Sequence, residues 1–378
     1  MMQVQSKGLG RAVLSSGPSS PSMAVSLRKY GASVNGARGV RVAAASVVDE
    51  LQGVRPEILS VIEQAVPKCL NDTQLSVGKY KKGKVRDTYE LEDKMIIITT
   101  DRQSAFDRHL ASIPFKGQVL NQTAAWWFEN TTHIVPNAVV SVPDPNVTIM
   151  KKCKVFPVEF VCRGFMTGST DTSLWTHYKA GEREYCGNTF PDGMVKNDRL
   201  PSNVITPTTK ADDHDVPISP KEIVEKGLMS QADWDMVSAA ALGLFNFGQQ
   251  QAQQRGLLLV DTKYEFGEDE DGQIRLIDEI HTPDSSRYWI GDSYEARHAQ
   301  GLEPENIDKE FLRLWFRERC DPYKDATLPE APKELVMELS KRYVFLYEKI
   351  TGKQFQPPDL SVPLNQRMDA AVRVALGM

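Results

Sequence analysis

The sequence has few cysteines, no long apolar run and no acidic residue in its first 48 positions. Five widely spaced cysteines in 378 residues, with no Cys-x-x-Cys pair, argue against a disulfide framework and against a cysteine-ligated zinc site. They favour a reducing compartment, and we assign no catalytic role to any of them. No apolar run approaches the ~20 residues that cross a bilayer, so we expect no membrane partner.

The first 48 residues differ in composition from the rest of the chain. They contain nine serines and six basic residues, and the first acidic residue is Asp49. This composition is typical of an organelle transit peptide, and residues 40–45 (VRVAAA) resemble a plastid processing site. We therefore predict that residues 1–48 are a disordered transit peptide outside the fold. A merely disordered tail is the alternative.

The charge of the remaining chain limits the class of partner. Because six uncompensated positive charges lie in the first 48 residues of a chain with a net charge of −5, the other 330 residues carry −11. An acidic body argues against nucleic acid as the main partner. The chain is 41% hydrophobic, which is enough for a sizeable core, and its length predicts about two domains.

The apolar spacing predicts helices and strands without a regular βαβ alternation. This pattern favours an α+β fold in two subdomains, over residues 49–155 and 156–378. Helices are predicted from Pro56, over residues 118–128, from a cap near Ser169 to Gly181, after caps at Ser219 and Ser230, and over residues 333–350. Strands are predicted in a hairpin over residues 75–91 and over residues 95–100, 147–155, 158–162, 257–266 and 274–280.

A glycine-rich segment lies in the first predicted hairpin. Residues 78–84 (GKYKKGK) have the spacing of a P-loop, but Val85 stands where the magnesium-binding Ser or Thr is needed. Strand-forming residues follow, whereas a P-loop requires a helix. We therefore predict a Gly-rich hairpin over a nucleotide, with Lys84 and Arg86 neutralising phosphate charge. A solvated basic edge strand is an equally open alternative.

Charged residues also lie on two later strands. Strand alternation puts Asp261, Lys263 and Glu265 on one face, and Asp278 and Glu279 follow on the next strand. Glu265 and one of the last two acids could hold Mg²⁺ that bridges ATP phosphates, and the strand register decides which. A structural network of salt bridges is the alternative.

A third candidate site lies where a predicted strand meets a Gly-containing turn. Arg163 offers a planar fork and Ser169 a hydroxyl beside backbone amides, so the two could hold a phosphate or carboxylate. An Arg packed against an acid and an ordinary N-cap serine are the alternative. The polar loop over residues 281–287 follows the acidic strand and is a further candidate. His214-Asp215, taken alone, indicates only a solvated pair.

Several of these segments together resemble the phosphoribosylaminoimidazole-succinocarboxamide synthase family of purine biosynthesis. The resemblance rests on residues 83–87 (GKVRD), 100–107 (TDRQSAFD), 117–122 (GQVLNQ), 156–169, 259–267 and 278–287. It implies a fold of two α+β subdomains with ATP between them, related to kinase and ATP-grasp architecture.

The resemblance also implies a reaction and its site residues. Members of the family join L-aspartate to the carboxylate of carboxyaminoimidazole ribonucleotide, and they use ATP and Mg²⁺. Phosphorylation turns the carboxylate into an acyl phosphate, which the aspartate amine can attack. By resemblance, Lys84 and Arg86 bind ATP, Glu265 and Asp278 bind ATP and Mg²⁺, Arg163, Ser169, Asp215 and Arg287 bind the nucleotide substrate, and Lys263 and Asp261 are catalytic.

The N-terminal extension is similar to that of plant members of the family, whose purine synthesis takes place in plastids. We therefore expect the chain to act in the chloroplast stroma after the transit peptide is removed. Two alternatives remain open at this point. One is a kinase-like phosphotransferase that acts on a small molecule, and the other is a regulatory protein that senses ATP without chemistry.

Overall fold

The computed structural model describes residues 54–106, 108–210, 216–307 and 309–378. The predicted transit peptide and the predicted site residue Asp215 lie outside the described residues. The helices are α1 Pro56–Ala65, α2 Lys116–Asn130, α3 Leu174–Lys179, α4 Pro220–Glu225, α5 Gln231–Gln253, α6 Gly291–His298, α7 Glu310–Arg317, α8 Lys333–Thr351 and α9 Leu364–Ala375, and a short 3-10 helix, Val66–Lys68, follows α1.

The strands form two main sheets and two separate hairpins. They are β1 Lys79–Lys82, β2 Arg86–Glu90, β3 Lys94–Thr99, β4 Arg102–Ala105, β5 Arg108–Ser112, β6 Val139–Asp144, β7 Val147–Lys151, β8 Lys154–Val155, β9 Val158–Phe165, β10 Glu184–Tyr185, β11 Asn188–Thr189, β12 Arg199–Ile205, β13 Thr208–Thr209, β14 Val216–Pro217, β15 Leu257–Glu268, β16 Ile274–Ile277 and β17 Ser286–Ile290.

The first sheet has five strands in the order β1-β2-β3-β7-β6. The second has eight strands, in which β14-β13-β9-β15-β16 form a path and β8, β12 and β17 attach to β15 or β9. All pairs of these strands are antiparallel. The predicted α+β class is confirmed, because helices and antiparallel sheets are mixed along the chain.

Several local predictions are confirmed by the geometry of turns and caps. Ser219 begins α4 with a reciprocal capping box, in which its hydroxyl accepts the Glu222 N–H at 3.3 Å. Ser230 caps α5, and Gly352 ends α8 in the left-handed conformation (φ 70°). At the turn between β1 and β2, a Cβ on Gly83 would lie 2.2 Å from the Arg86 carbonyl oxygen, so the close approach requires glycine.

The predicted helix start near Ser169 is wrong. The helix begins at Leu174, and Ser173 is its N-cap residue. Gly168 (φ 111°) turns the chain first, and the Ser173 hydroxyl donates to the Thr170 carbonyl at 2.6 Å. Residues 167–173 (TGSTDTS) nearly all favour turns or caps, so composition does not choose among them. The backbone amides beside Ser169 therefore belong to a turn and not to a helix end.

The helices cover the sheets and join the two ends of the chain. Helix α5 packs on β15 in the largest apolar cluster. Helix α8 packs against α1 and α2, and α9 packs against β6, so the C-terminal helices lie on N-terminal elements. The division at residue 155 stays a prediction. None of the helices in the described ranges is long and apolar enough to cross a membrane.

Candidate functional site

Arg86, at the start of β2, links the five-stranded sheet to the acidic end of β16. Its guanidinium contacts Asp278 (Nη1–Oδ1 2.7 Å, Nη2–Oδ2 2.9 Å) and Glu279 (Nη2–Oε1 3.0 Å). The strand predicted to reach residue 280 ends at Ile277, because Asp278 turns the chain with φ 70°. Burial raises the pKa of Asp278, but the charges of Arg86 and Lys263 outweigh it and hold this pKa below its usual value.

Lys263 is the centre of a second group of charges on β15. Its Nζ lies 2.6 Å from Glu159 Oε1 and 3.1 Å from Glu265 Oε1. The other carboxylate oxygen of Glu265 contacts Lys210. Burial lowers the pKa of Lys263, but the surrounding carboxylates, Glu265 first, raise it above its usual value. Lys263 is therefore a partly buried, charged ammonium group between carboxylates.

Asp261 lies between two arginines. In the register of the sheet it is opposite Arg163 on β9 and Arg287 on β17. Its Oδ2 contacts Arg287 and lies 4.0 Å from Arg163 Nη1. Arg163 is buried, and it also donates from Nε to Thr206 Oγ1 at 2.7 Å. The guanidinium groups of Arg163 and Arg287 thus lie beside one carboxylate, that of Asp261, in this part of the sheet.

The predicted site residues do not all lie in the same cluster of contacts. Ser169 is exposed, and its hydroxyl contacts Glu310 Oε1 at 3.4 Å and Arg317 Nη1 at 3.3 Å on α7. Lys84 lies in the turn between β1 and β2 and lines a cavity of about 440 Å³ together with Gly83 and Arg102. Glu265 and Asp278 do not line this cavity, so it adjoins the Gly-rich turn and not the acidic cluster.

Sequence reasoning missed Glu159 and Lys210. Glu159 stands four residues before Arg163, so strand alternation puts both on one face of β9, and this signal was available in the sequence. Lys210 follows β13 outside any strand, and no pattern in the sequence distinguishes it from other surface lysines. The sequence left open whether Asp278 or Glu279 faces inward, and both contact Arg86.

The charged cluster can be tested for its fit to Mg²⁺. In the described ranges, no three His, Cys, Asp or Glu residues are arranged to enclose a metal ion. Mg²⁺ is commonly held by one or two carboxylates, with substrate phosphates and water completing six oxygen ligands. Glu265 is the last buried carboxylate of β15 opposite Ile277, and Asp278 follows that residue directly. This pair fits that mode of binding.

Comparisons with known proteins agree on one family. A family model described as SAICAR synthetase matches residues 79–329. The chain is 61% identical over 325 residues, 85% of this chain and 79% of the relative, to the chloroplastic phosphoribosylaminoimidazole-succinocarboxamide synthase of Arabidopsis thaliana. It is 63% identical over 303 residues, 80% of this chain and 97% of the relative, to the same enzyme of Legionella pneumophila strain Lens. The SAICAR synthase of Saccharomyces cerevisiae, solved in complex with SAICAR, is similar in fold, with a TM-score of 0.66, 30% identity, and coverage of 76% of this chain and 99% of that chain.

Proposed function

The chain belongs to the SAICAR synthetase family, and we propose on that basis which of its residues hold each reactant. Its activity is the ATP-dependent ligation of L-aspartate to the carboxylate of carboxyaminoimidazole ribonucleotide, a step of purine biosynthesis. A kinase-like phosphotransferase is not favoured, because the relatives are named as this ligase over most of the chain.

One observation carries the assignment of the ATP site. Arg86 of the five-stranded sheet contacts Asp278 and Glu279, which follow β16 of the eight-stranded sheet, and the charge of Lys263 on β15 also acts on Asp278. We place ATP at this junction, between the parts formed by residues 49–155 and 156–378. The cations Lys84, Arg86 and Lys263 face its phosphates, which are the groups that such cations neutralise in other ATP-dependent enzymes.

Glu265 and Asp278 are the proposed Mg²⁺ ligands. Glu265 is paired with Lys210 and Lys263, and Asp278 is paired with Arg86. When ATP binds, its phosphate oxygens can replace these carboxylates as the partners of the cations. The carboxylates then become available to a metal ion, so that no buried charge is left without a partner. Bound Mg²⁺ would offset the negative charge that develops on the transferred phosphoryl group.

Lys263 and Asp261 are the proposed catalytic residues. The substrate carboxylate is a poor acyl donor until it accepts the γ-phosphoryl group, and the aspartate amine then displaces phosphate to form the amide. The charged, partly buried Lys263 can stabilise the phosphoryl group during both steps. Asp261 holds Arg163 and Arg287 in place for the nucleotide substrate.

The nucleotide's phosphate is assigned to Arg163, Arg287 and Ser169, and Asp215 is proposed to bind the same substrate away from that phosphate. Replacing Arg163 by lysine keeps the charge but loses the planar fork. We expect Arg163→Lys to weaken binding of the imidazole nucleotide by about 1 to 3 kcal/mol, with ATP affinity unchanged. Separate titrations with each ligand measure the two affinities. Arg199→Lys is the control, because Arg199 is half exposed and lies over the Phe165 ring (4.9 Å). Weaker ATP binding beside unchanged nucleotide binding would remove Arg163 from the nucleotide site.

We also propose that the chain acts in the chloroplast stroma. The support is the composition of residues 1–48 and the chloroplastic relative from Arabidopsis thaliana. A fluorescent protein fused behind residues 1–60 should enter plastids and be found in the stromal fraction, whereas a fusion without these residues should stay in the cytosol. A chain that starts at residue 49 should keep full turnover. Cytosolic fluorescence of the first fusion would contradict the proposal.

A further inference from the structure

Arg102, the first residue of β4, is buried against the Gly-rich turn. Its guanidinium has five N–H donors, and three of them reach backbone carbonyls. Nε donates to Lys84 at 3.2 Å, Nη2 to Gly83 at 3.0 Å, and Nη1 to Asn71. The other two form a forked pair with Asp87 (Nη2–Oδ1 2.6 Å, Nη1–Oδ2 3.3 Å). Every donor of this side chain therefore has a partner.

Two neighbours of Arg102 hold the same turn. Asp87 is fully buried, and its Oδ1 accepts the Gly83 backbone N–H at 3.3 Å. The Thr100 hydroxyl donates to the Val85 carbonyl at 2.6 Å, and its backbone N–H donates to the same oxygen at 3.0 Å. The carbonyls of residues 83–85 are thus all bonded to Arg102 or Thr100. Because a trans peptide is planar, fixing these carbonyls fixes the orientation of the turn and of the Cα–Cβ bond of Lys84.

We propose that Arg102 is a positioning residue of the ATP site, which holds the Gly83–Val85 turn in the shape that presents Lys84 to the phosphates of the nucleoside triphosphate. The inference rests on the proposed role of Lys84. A lysine at position 102 has three donors and no planar fork, so it cannot keep the pair with Asp87 and also hold both turn carbonyls. A purely structural role would change stability without favouring one substrate.

The first test is Arg102→Lys. We expect KM for ATP to rise about 10- to 100-fold, as when a group that orients a ligand-binding residue is lost. KM for the imidazole nucleotide and for aspartate should not change. Arg108→Lys is the matched control, because this arginine of the neighbouring strand β5 donates to the carbonyls of Pro322 (3.4 Å) and Ala326 (3.0 Å) instead of the turn. All three KM values should stay at wild type in the control.

A second variant keeps the test decisive if Arg102→Lys does not fold. Thr100→Val keeps the volume and removes one hydrogen bond to the turn, so KM for ATP alone should rise about 2- to 10-fold. Equal changes in all three KM values, or an unchanged KM for ATP in the folded variants, would overturn the inference.

The variant Lys84→Ala distinguishes a failure of the positioning role of Arg102 from a failure of the proposed ATP site. If Lys84→Ala raises KM for ATP and Arg102→Lys does not, the positioning role fails and the ATP site stands. If Lys84→Ala has no effect, the assignment of Lys84 fails and the positioning role of Arg102 is overturned with it.

Discussion

Replacing Glu265 by glutamine is expected to lower kcat by about 100- to 1,000-fold, the loss that follows removal of one preorganised electrostatic contact to developing charge. Lys263 keeps its contact with Glu159, and glutamine keeps the shape of the side chain with one oxygen acceptor, for either Lys263 or Lys210. It loses the negative charge that we assign to Mg²⁺ binding. The expected result is therefore a large loss of turnover with a small change in melting temperature, and a higher Mg²⁺ concentration for half-maximal activity.

The control for this prediction lies on the same strand. Glu268 ends β15, opposite Ile274 of β16, and we assign it no role in the site. Glu268→Gln should keep wild-type kcat and wild-type Mg²⁺ dependence. Asp278→Asn should behave like Glu265→Gln, although Arg86 then loses one of its two carboxylate partners. A Glu265→Gln enzyme with wild-type turnover and Mg²⁺ dependence would exclude Glu265 as a metal ligand.

The second large effect concerns stability. Lys116, on α2, is fully buried, and its Nζ lies 2.7 Å from Asp284 Oδ2. Burial raises the pKa of Asp284, but Lys116 first and then Lys309 hold it at about 2. Lys116→Met should reduce the free energy of unfolding by about 3 to 5 kcal/mol at neutral pH, because it removes the main cation beside a buried carboxylate, which keeps only the smaller effect of Lys309 and the Tyr343 hydroxyl (3.2 Å). Urea unfolding curves measure this change.

The pH dependence of this effect has a definite sign. The folded pKa of Asp284, about 2, is below the usual value of 3.8, so this carboxylate stabilises the fold above pH 3.8. The contribution disappears as the pH falls towards the folded value. The difference between wild type and Lys116→Met should therefore be largest near neutral pH and shrink below pH 3.8.

Two further variants complete the stability test. Lys116→Met combined with Asp284→Asn should recover part of the loss, since no buried charge is left alone. Lys333→Met is the control, because Lys333 pairs with Glu63 at 2.6 Å on the surface, where such a pair contributes about 0 to 1 kcal/mol. A loss of less than about 1 kcal/mol for Lys116→Met would show that the buried pair is not a major source of stability.

Much of the site could be predicted because its residues lie at fixed spacings on strands. Asp261, Lys263 and Glu265 alternate along β15, and all three carry charged contacts. The Gly-rich hairpin followed from Gly83 and the strand-forming residues after it. In each case the signal is local: either side chains alternate between the two faces of a strand, or a residue favours a turn.

The rest depends on contacts between distant parts of the chain. Arg86 and Asp278 are 192 residues apart, and no local pattern indicates that they meet. Lys116 is a charged residue at the start of α2, so the local sequence gives no sign that it is buried. Only the packing of α2 against the later loop brings it to its buried partner, Asp284. The helix start near Ser169 failed for a different reason, because several neighbouring residues can all cap a helix. Tertiary contacts decide which residues that are distant in sequence form pairs. They also decide which of several possible residues caps a helix.

The most direct measurement of the central claim is ADP release by the purified enzyme with Mg²⁺, when each substrate is omitted in turn. The ligase reaction predicts ADP only when ATP, the imidazole nucleotide and L-aspartate are all present, with one succinocarboxamide formed for each ADP. Glu265→Gln should lower this release, and Glu268→Gln should not. Steady ADP release with the nucleotide but without aspartate would instead identify a phosphotransferase and contradict the account.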